Sequence, residues 1–352
     1  MFRLAYPTLI QTRSSIRPLL LSTNRPIVRH SSAASSAEST HANGIVPVAV
    51  ITGASRGIGR AIALQLARDG YDVALNDLPS NQMQLEGLSS EIIEQVGRRA
   101  LVIPGDVSVE GDVRSLVDAS TKTFGRLDVM VANAGIAVME PLLQNKIEDW
   151  DRVIAVNLRG VYLCYKYAAQ QMIEQGRGGR IIGASSVLGK VGNVAGIPLL
   201  GAYSAAKSGV RSLTQTAAGA DDVIVLTVAQ EWAQYGITVN AYAPGPVETD
   251  MRKPLPSFIT PQEKQQTAEN LHTVRGISLI PDEVIREAAE RRMTKTDLGY
   301  LGTPEDIAGL VSFLASEKGR FITGQAVRHF ITHIFIPRVS SLLFTFPFTD
   351  YD

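Results

Sequence analysis

Tyr203 and Lys207 are four apart in a stretch, 202–216, that carries a helical pattern, and this spacing puts both side chains on one helix face. A lysine ammonium beside a phenol stabilises the phenolate, so the pair is expected to draw the tyrosine pKa below its ordinary value of about 10. Just upstream, Arg-Ile-Ile-Gly-Ala-Ser-Ser at 180–186 reads as a strand that ends in two hydroxyls. Ser185 or Ser186 would then hold the oxygen that Tyr203 protonates. Tyr-x-x-x-Lys is also a common surface spacing, so its meaning depends on a partner elsewhere in the chain.

That partner stands near the front of the chain. An apolar run at 46–51 enters Thr52-Gly53-Ala54-Ser55-Arg56-Gly57-Ile58-Gly59, and a helical pattern at 61–67 follows and closes at Gly70. Spaced glycines gain meaning between a strand and a helix. Without side chains, Gly53, Gly57 and Gly59 let a pyrophosphate reach backbone amides and the positive end of the helix. A plain tight turn is the alternative. The next strand, 72–76, ends at Asp77, 18 residues after Gly59. A carboxylate there bonds ribose hydroxyls and repels a 2′-phosphate, which favours NAD over NADP. Arg56 argues for the phosphate, but Asp77 holds the position that faces the ribose and weighs more.

The elements that position these residues alternate. A helix at 85–96 precedes a strand at 100–103 that leads to Asp106-Val107; a helix at 113–124 stops at Gly125; a strand at 127–131 runs into Asn133-Ala134-Gly135. Short apolar strands between longer helices predict an α/β fold: a single Rossmann-type doubly wound parallel sheet with helices on both faces. Asp106 and Asn133 fall at strand C-terminal ends, where ligands bind in such sheets, although both are also ordinary turn residues.

Charge and composition narrow the partners. The 34 basic residues balance the 34 acidic ones, which gives no sign of a nucleic-acid or anionic-membrane partner. The single cysteine, Cys164, rules out a disulfide within the chain. His329 and His333 are four apart without further ligand spacing, so no metal site is expected. No apolar run reaches the ~20 residues a membrane-spanning helix needs. Arg3, Arg13, Arg17, Arg25 and Arg29 precede the first acid, Glu38, amid a cluster of serines. That composition is that of an organelle transit peptide, most simply one for the mitochondrial matrix, with a disordered basic tail of a cytoplasmic protein as the alternative. Setting those five arginines aside leaves 29 basic residues against 34 acidic, a mildly acidic body. The expected organisation is a leader at 1–44, a dinucleotide-binding catalytic domain at 45–326 and a tail at 327–352.

Thr-Gly-x-x-x-Gly-x-Gly at 52–59, Asn-Ala-Gly at 133–135, Ser186, Tyr203-x-x-x-Lys207 and Pro244-Gly245 come in this order. Together they resemble the short-chain dehydrogenase/reductase family, over about 47–325. Gly189-Lys190-Val191-Gly192-Asn193 and the run Arg211-Ser212-Leu213-Thr214-Gln215-Thr216-Ala217-Ala218 narrow the likeness to acetoin/diacetyl reductases and related NAD-type carbonyl reductases. The resemblance implies hydride transfer between NAD(H), with NADP as the alternative, and a small ketone, diketone or secondary alcohol. Ser186, the second of its pair, and Tyr203 would bond the substrate oxygen, with Tyr203 as general acid or base. Lys207 would lower the Tyr203 pKa and bond the nicotinamide ribose. Asn157, in a helix at 149–172, would hold a water that links the lysine to solvent. Cofactor contacts are implied for Gly53, Ser55, Arg56, Gly57, Ile58, Gly59, Asp77, Asp106, Val107, Asn133, Ala134, Gly135, Tyr203, Lys207, Pro244 and Gly245. Val247 and Thr249 would border the carboxamide. The family also implies a homodimer or homotetramer built on the helices of Asn157 and Tyr203, and a substrate lid at 250–302. Competing readings are a 3-oxoacyl-[acyl-carrier-protein] reductase, favoured by the leader and Arg56 but not by Asp77, and a non-catalytic nucleotide-binding scaffold.

Three features depart from the family pattern. Ser186 and Tyr203 are 17 apart, a wider spacing than the family's, with the excess at 193–199. The segment 219–229, Gly-Ala-Asp-Asp-Val-Ile-Val-Leu-Thr-Val-Ala, is poor helix material inserted where the family helix runs on. The closing strand expected to begin at 321–325 is not followed by the family's usual ending. Translated intron sequence accounts for all three and predicts that the chain as written is poorly stable or inactive while a spliced form is active; the alternative is genuine divergence, with the tail as a membrane or partner contact.

Overall fold

The computed structural model describes residues 45–191, 200–218, 231–249 and 301–328. The strands are β1 (Val48–Thr52), β2 (Asp72–Asn76), β3 (Ala100–Val102), β4 (Val129–Ala132), β5 (Gly179–Ala184), β6 (Ile237–Ala243) and β7 (Ala326–Arg328). They form one sheet in the order β3-β2-β1-β4-β5-β6-β7, with every neighbouring pair parallel. The helices among the described residues are α1 (Gly57–Arg68), α2 (Gln82–Glu91), α3 (Glu110–Phe124), α4 (Ile147–Ile154), α5 (Val161–Gln175), α6 (Gly201–Ala218) and α7 (Pro304–Ala315). The order reverses between β1 and β4, which opens a crevice at their C-terminal ends.

Strand residues alternate between two cores, because successive Cβ atoms point to opposite faces. Ala49 and Ile51 of β1 join Val73, Leu75, Val129 and Val131 beneath α1, α2 and α7. Val50, Ala74, Met130 and Ala132 face α3, α5 and α6 on the other side. All five residues of β1 are buried, which is why this strand reads as an unbroken apolar run. The doubly wound parallel sheet expected from the pattern is the fold observed.

Two helical predictions change in detail. The 85–96 helix is α2 followed by a π-helical turn, Ile92–Val96. The 149–172 helix is α4 and α5 joined by a second π turn, Ala155–Gly160, which contains Asn157. Inserted turns of this kind concentrate at functional sites.

The end of the sheet corrects the sequence reading. The last strand starts not at 321–325 but at Ala326, and it runs through Arg328, so the domain limit drawn at 326 falls inside β7. Buried Asn240 explains the docking: its Nδ2 donates to the Ile322 carbonyl at 2.8 Å, and its Oδ1 accepts the Gln325 N–H at 3.1 Å. The Ala241 N–H then donates to the Gln325 carbonyl at 2.7 Å, and pairing continues at Ala241–Ala326. The leader, the extra residues at 193–199, the 219–229 insert, the lid up to residue 300 and the tail beyond 328 lie outside the described residues.

The α7 terminus offers a clean energetic test. Thr303 and Asp306 form a reciprocal capping box, with Pro304 at the first helical position. Thr303→Ala removes the hydroxyl that accepts the Asp306 N–H and should destabilise the fold by about 1 kcal/mol. Urea denaturation is expected to show a lower midpoint with an unchanged slope.

Candidate active site

The chain leaves β1 at Gly53 with φ +66°, a left-handed conformation that L side chains avoid. A Cβ at Gly59 would overlap the Gly53 carbonyl oxygen and stand 2.6 Å from Asn133 Nδ2, so the turn closes only without side chains. Helix α1 begins with no side-chain cap and no acid in its first turn. Its leading amides and positive dipole end are therefore left for an anion from outside the helix. A diphosphate fits this cradle.

Asn133 holds the turn in place. Its Nδ2 donates to the Thr52 and Gly53 carbonyls at 2.8 and 3.1 Å, and its Oδ1 accepts the Tyr242 hydroxyl at 2.7 Å. Its contribution to a ligand site is to shape the glycine turn. At the end of β2, Asp77 Oδ2 accepts from the Ser55 N–H and hydroxyl at 3.1 and 2.6 Å. Its Oδ1 accepts from the Leu78 N–H and Asn81 Nδ2, both at 2.8 Å. A carboxylate has about four lone-pair sites, so these bonds fill it. Ribose hydroxyls reaching Asp77 must exchange with a side-chain donor such as the Ser55 hydroxyl or Asn81 amide. The negative charge stays in place whatever donates to it.

Further along the crevice, both serines are buried and their partners distinguish them. Ser185 donates its hydroxyl to the Lys207 carbonyl at 2.9 Å, whereas Ser186 accepts the Leu188 N–H at 3.2 Å and is the side chain that interacts with the Tyr203 phenol. Lys207, on α6, is fully buried; its Nζ donates to the Ala184 carbonyl at 2.8 Å and stands 5.4 Å from the Tyr203 ring centroid. Asn157 sits behind them. Its amide bonds the Ile136 backbone in both directions, at 3.2 and 2.8 Å, and donates to the Val153 carbonyl at 3.0 Å. A Cβ on Gly135 would stand 2.7 Å from Asn157 Oδ1 and 3.4 Å from Lys207 Nζ, so this glycine brings backbone, amide and ammonium together.

One cleft is lined by Gly53, Arg56, Gly57, Ile58, Gly59, Asp77, Asp106, Val107, Asn133, Ala134, Gly135, Tyr203, Lys207, Pro244 and Thr249. Ser185 also lines the cleft, whereas Ser55, Asn157 and Ser186 are not part of its lining; Ser55 bonds Asp77, Asn157 bonds Ile136, and Ser186 interacts with the phenol of Tyr203, which does line it. Gly245 and Val247 lie outside the lining; Val247 is bridged to Gly302, at the returning end of the predicted lid. Ile136, Arg152 and Tyr242 also line the cleft, and the sequence reading missed them. Tyr242 had a faint signal: it is the aromatic residue two places before Pro244-Gly245, at the end of a buried strand.

The electrostatics correct one expectation. Burial raises the Tyr203 pKa above 10.0, opposed by the Ser186 hydrogen bond, and burial pulls Lys207 down from 10.5 to about 7. Desolvation is the largest cause at both groups, so Tyr203 is a protonated donor at neutral pH and burial disfavours the charged form of Lys207. The linkage has a definite sign. Between about 7 and 10.5 the unfolded chain binds a proton at Lys207 that the folded chain has lost, so this residue's contribution to stability rises with pH across that window. Lys207→Met should therefore be stabilised relative to the parent most strongly below pH 7. Thermal melts at stepped pH should show that advantage shrinking towards pH 10; a constant gap would refute a depressed lysine.

Residues 47–259 match the family described as short chain dehydrogenase. A short-chain dehydrogenase/reductase from Armillaria gallica is 45% identical over 281 residues, covering 80% of this chain and 93% of the relative. An L-2,3-butanediol dehydrogenase from Corynebacterium glutamicum is 38% identical over 280 residues, 80% of this chain and 95% of the relative. Among solved structures, the acetoin dehydrogenase YohF from Salmonella typhimurium superposes with a TM-score of 0.61 at 28% identity, over 80% of this chain and 94% of that one. With its glycine turn, its serine–tyrosine–lysine cluster and this extent of likeness, the chain belongs to the short-chain dehydrogenase/reductase family of oxidoreductases acting on CH-OH/C=O groups.

Proposed function

We propose that the protein is an NAD(H)-dependent reductase and dehydrogenase of small diketones, hydroxyketones or secondary alcohols, of the acetoin/diacetyl type. The observation that carries this reading is the placement of Tyr203, backed by Lys207 and with Ser186 beside it, in the same cleft as the glycine turn and Asp77. The relatives named for butanediol and acetoin support the substrate class. Asp77 supports NAD, because its fixed carboxylate repels a 2′-phosphate.

When bound, the nicotinamide supplies or accepts the hydride. Gly53, Gly57 and Gly59 would hold the diphosphate, Asp77 the adenosine ribose, and Lys207 the nicotinamide ribose. In reduction, Tyr203 gives its phenolic proton to the oxygen that gains the carbonyl π-electron pair; in oxidation, the phenolate takes that proton back. Ser186 donates to the same oxygen and Lys207 steadies the phenolate. Asn157, fixed by Ile136 and Val153, closes the space behind Lys207 and would hold the water that links it to solvent. The family also supports a homodimer or homotetramer.

Purified protein given diacetyl or acetoin should consume NADH faster than NADPH. Tyr203→Phe should lose about 10²-fold or more in kcat with NADH affinity unchanged. Turnover of a 3-oxoacyl thioester with NADPH, and none of a diketone, would instead support the acyl-carrier-protein reading. NADH binding without turnover of either class would leave the non-catalytic scaffold.

The Arg- and Ser-rich, acid-poor composition of 1–44 supports delivery to the mitochondrial matrix. A fluorescent protein carrying these residues should accumulate in mitochondria, and five Arg→Gln changes should leave it in the cytosol. Wild-type and substituted fusions distributed alike would refute the import reading.

A further inference from the structure

Tyr242 is fully buried at the C-terminal end of β6, lines the cleft and belongs to no group assigned above. Its register partner on β5 is Ala184, a residue too small to block a ring reaching across that strand. The hydroxyl meets Asn133 Oδ1 at 2.7 Å, just past the end of β4. Asn133 Nδ2 in turn donates to the Thr52 and Gly53 carbonyls at the end of β1. A connected path of hydrogen bonds thus crosses four adjacent strands, from the floor of the reaction site to the glycine turn. Three strand spacings separate its ends, roughly 14 Å at ~4.8 Å each.

The path has only one polarity. The Thr52 and Gly53 carbonyls accept and cannot donate, so the Asn133 amide must present its NH2 to them and its oxygen to β6. That oxygen requires a donor, and Tyr242 supplies it. Burial raises the Tyr242 pKa well above its ordinary value, which keeps the hydroxyl protonated. Without this donor the Asn133 oxygen loses the partner that fixes the amide's orientation, and an amide free to turn no longer holds the turn carbonyls.

We propose that Tyr242 is a positioning residue that sets the glycine turn for the diphosphate of the bound dinucleotide, acting through Asn133 and not by touching that part of the ligand. The inference rests on the dinucleotide reading of the cleft. It separates Tyr242 from Tyr203: one holds a backbone at a distance, and the other handles the proton.

ADP-ribose, which lacks the nicotinamide, is the discriminating probe. Calorimetric titration of Tyr242→Phe should show ADP-ribose and NADH both weakened, by about five- to tenfold and to the same extent, since one net hydrogen bond is lost in each case. The KM for NADH should rise in step while kcat at saturating NADH stays within about twofold. Asn133→Ala should weaken both ligands at least as much, and adding Tyr242→Phe to it should cost little more, because the two act in series. Should Tyr242→Phe fail to fold, Tyr242→Leu, which also lacks the hydroxyl donor, carries the same comparison. Unchanged ADP-ribose affinity in the folded variants, or weakening confined to NADH, would overturn the inference while leaving the dinucleotide reading intact. A wild-type protein that binds neither ligand would overturn both.

Discussion

The crevice between β1 and β4 exists because Thr52 and Asn133 satisfy the backbone where these strands part. Thr52 Oγ1 accepts the N–H groups of Asn133 and Ala134 at 3.0 and 3.1 Å and lies 3.4 Å from the Val131 carbonyl, to which it donates. Asn133 returns the connection through its amide. Unpaired backbone groups at a buried strand end are costly, so the reversal of strand order needs such a knot to be stable. The glycine turn leans on it directly: the Cβ positions that would break Gly53 and Gly59 are blocked by Asn133 and Ala134. The same knot sets where the turn and Gly135 lie relative to Asp77 and Lys207.

The reacting end is built against the interest of stability. Lys207 is buried among the Ala184 carbonyl, the Tyr203 ring and Gly135, and no carboxylate pairs with it among the described residues. Elsewhere the chain pairs a buried charge: Asp72, fully buried at the opposite end of β2, bonds both Arg98 and Arg99. The contrast fits the role proposed for the lysine, since a structural charge would have a counter-ion. The two packed faces of the sheet supply the stability that the unpaired lysine withholds.

The sequence made the fold legible wherever both neighbours of an element are local or its burial is complete. The unbroken apolar run into β1 and the glycine stops of α1 and α3 were readable because one period or one left-handed residue decides them. What stayed hidden depends on partners distant in the chain. β7 has three residues, too few for any pattern, and is held by Asn240 across more than eighty positions. The direction of the Tyr203 shift turns on how deeply α6 buries it, which spacing on the helix does not encode. Asp77 was found by its place after Gly59, but the Ser55 and Asn81 donors that fill it follow from the folded turn. Tyr242 reads as one more core aromatic until the structure shows where its hydroxyl goes.

The shortness of β7 has a colloidal consequence. An outer strand of a parallel sheet offers a row of unpaired N–H and C=O groups to any extended chain, and length is what makes that row a template. Among the described residues the row is three residues long and includes the exposed side chain of Arg328. Were Ala326–Arg328 to detach, β6 would become the edge, with seven residues, nearly all buried and apolar or β-branched. The small strand thus acts as a cover over an adhesive surface, and the Asn240 bonds that fasten it guard the protein against association through its own sheet.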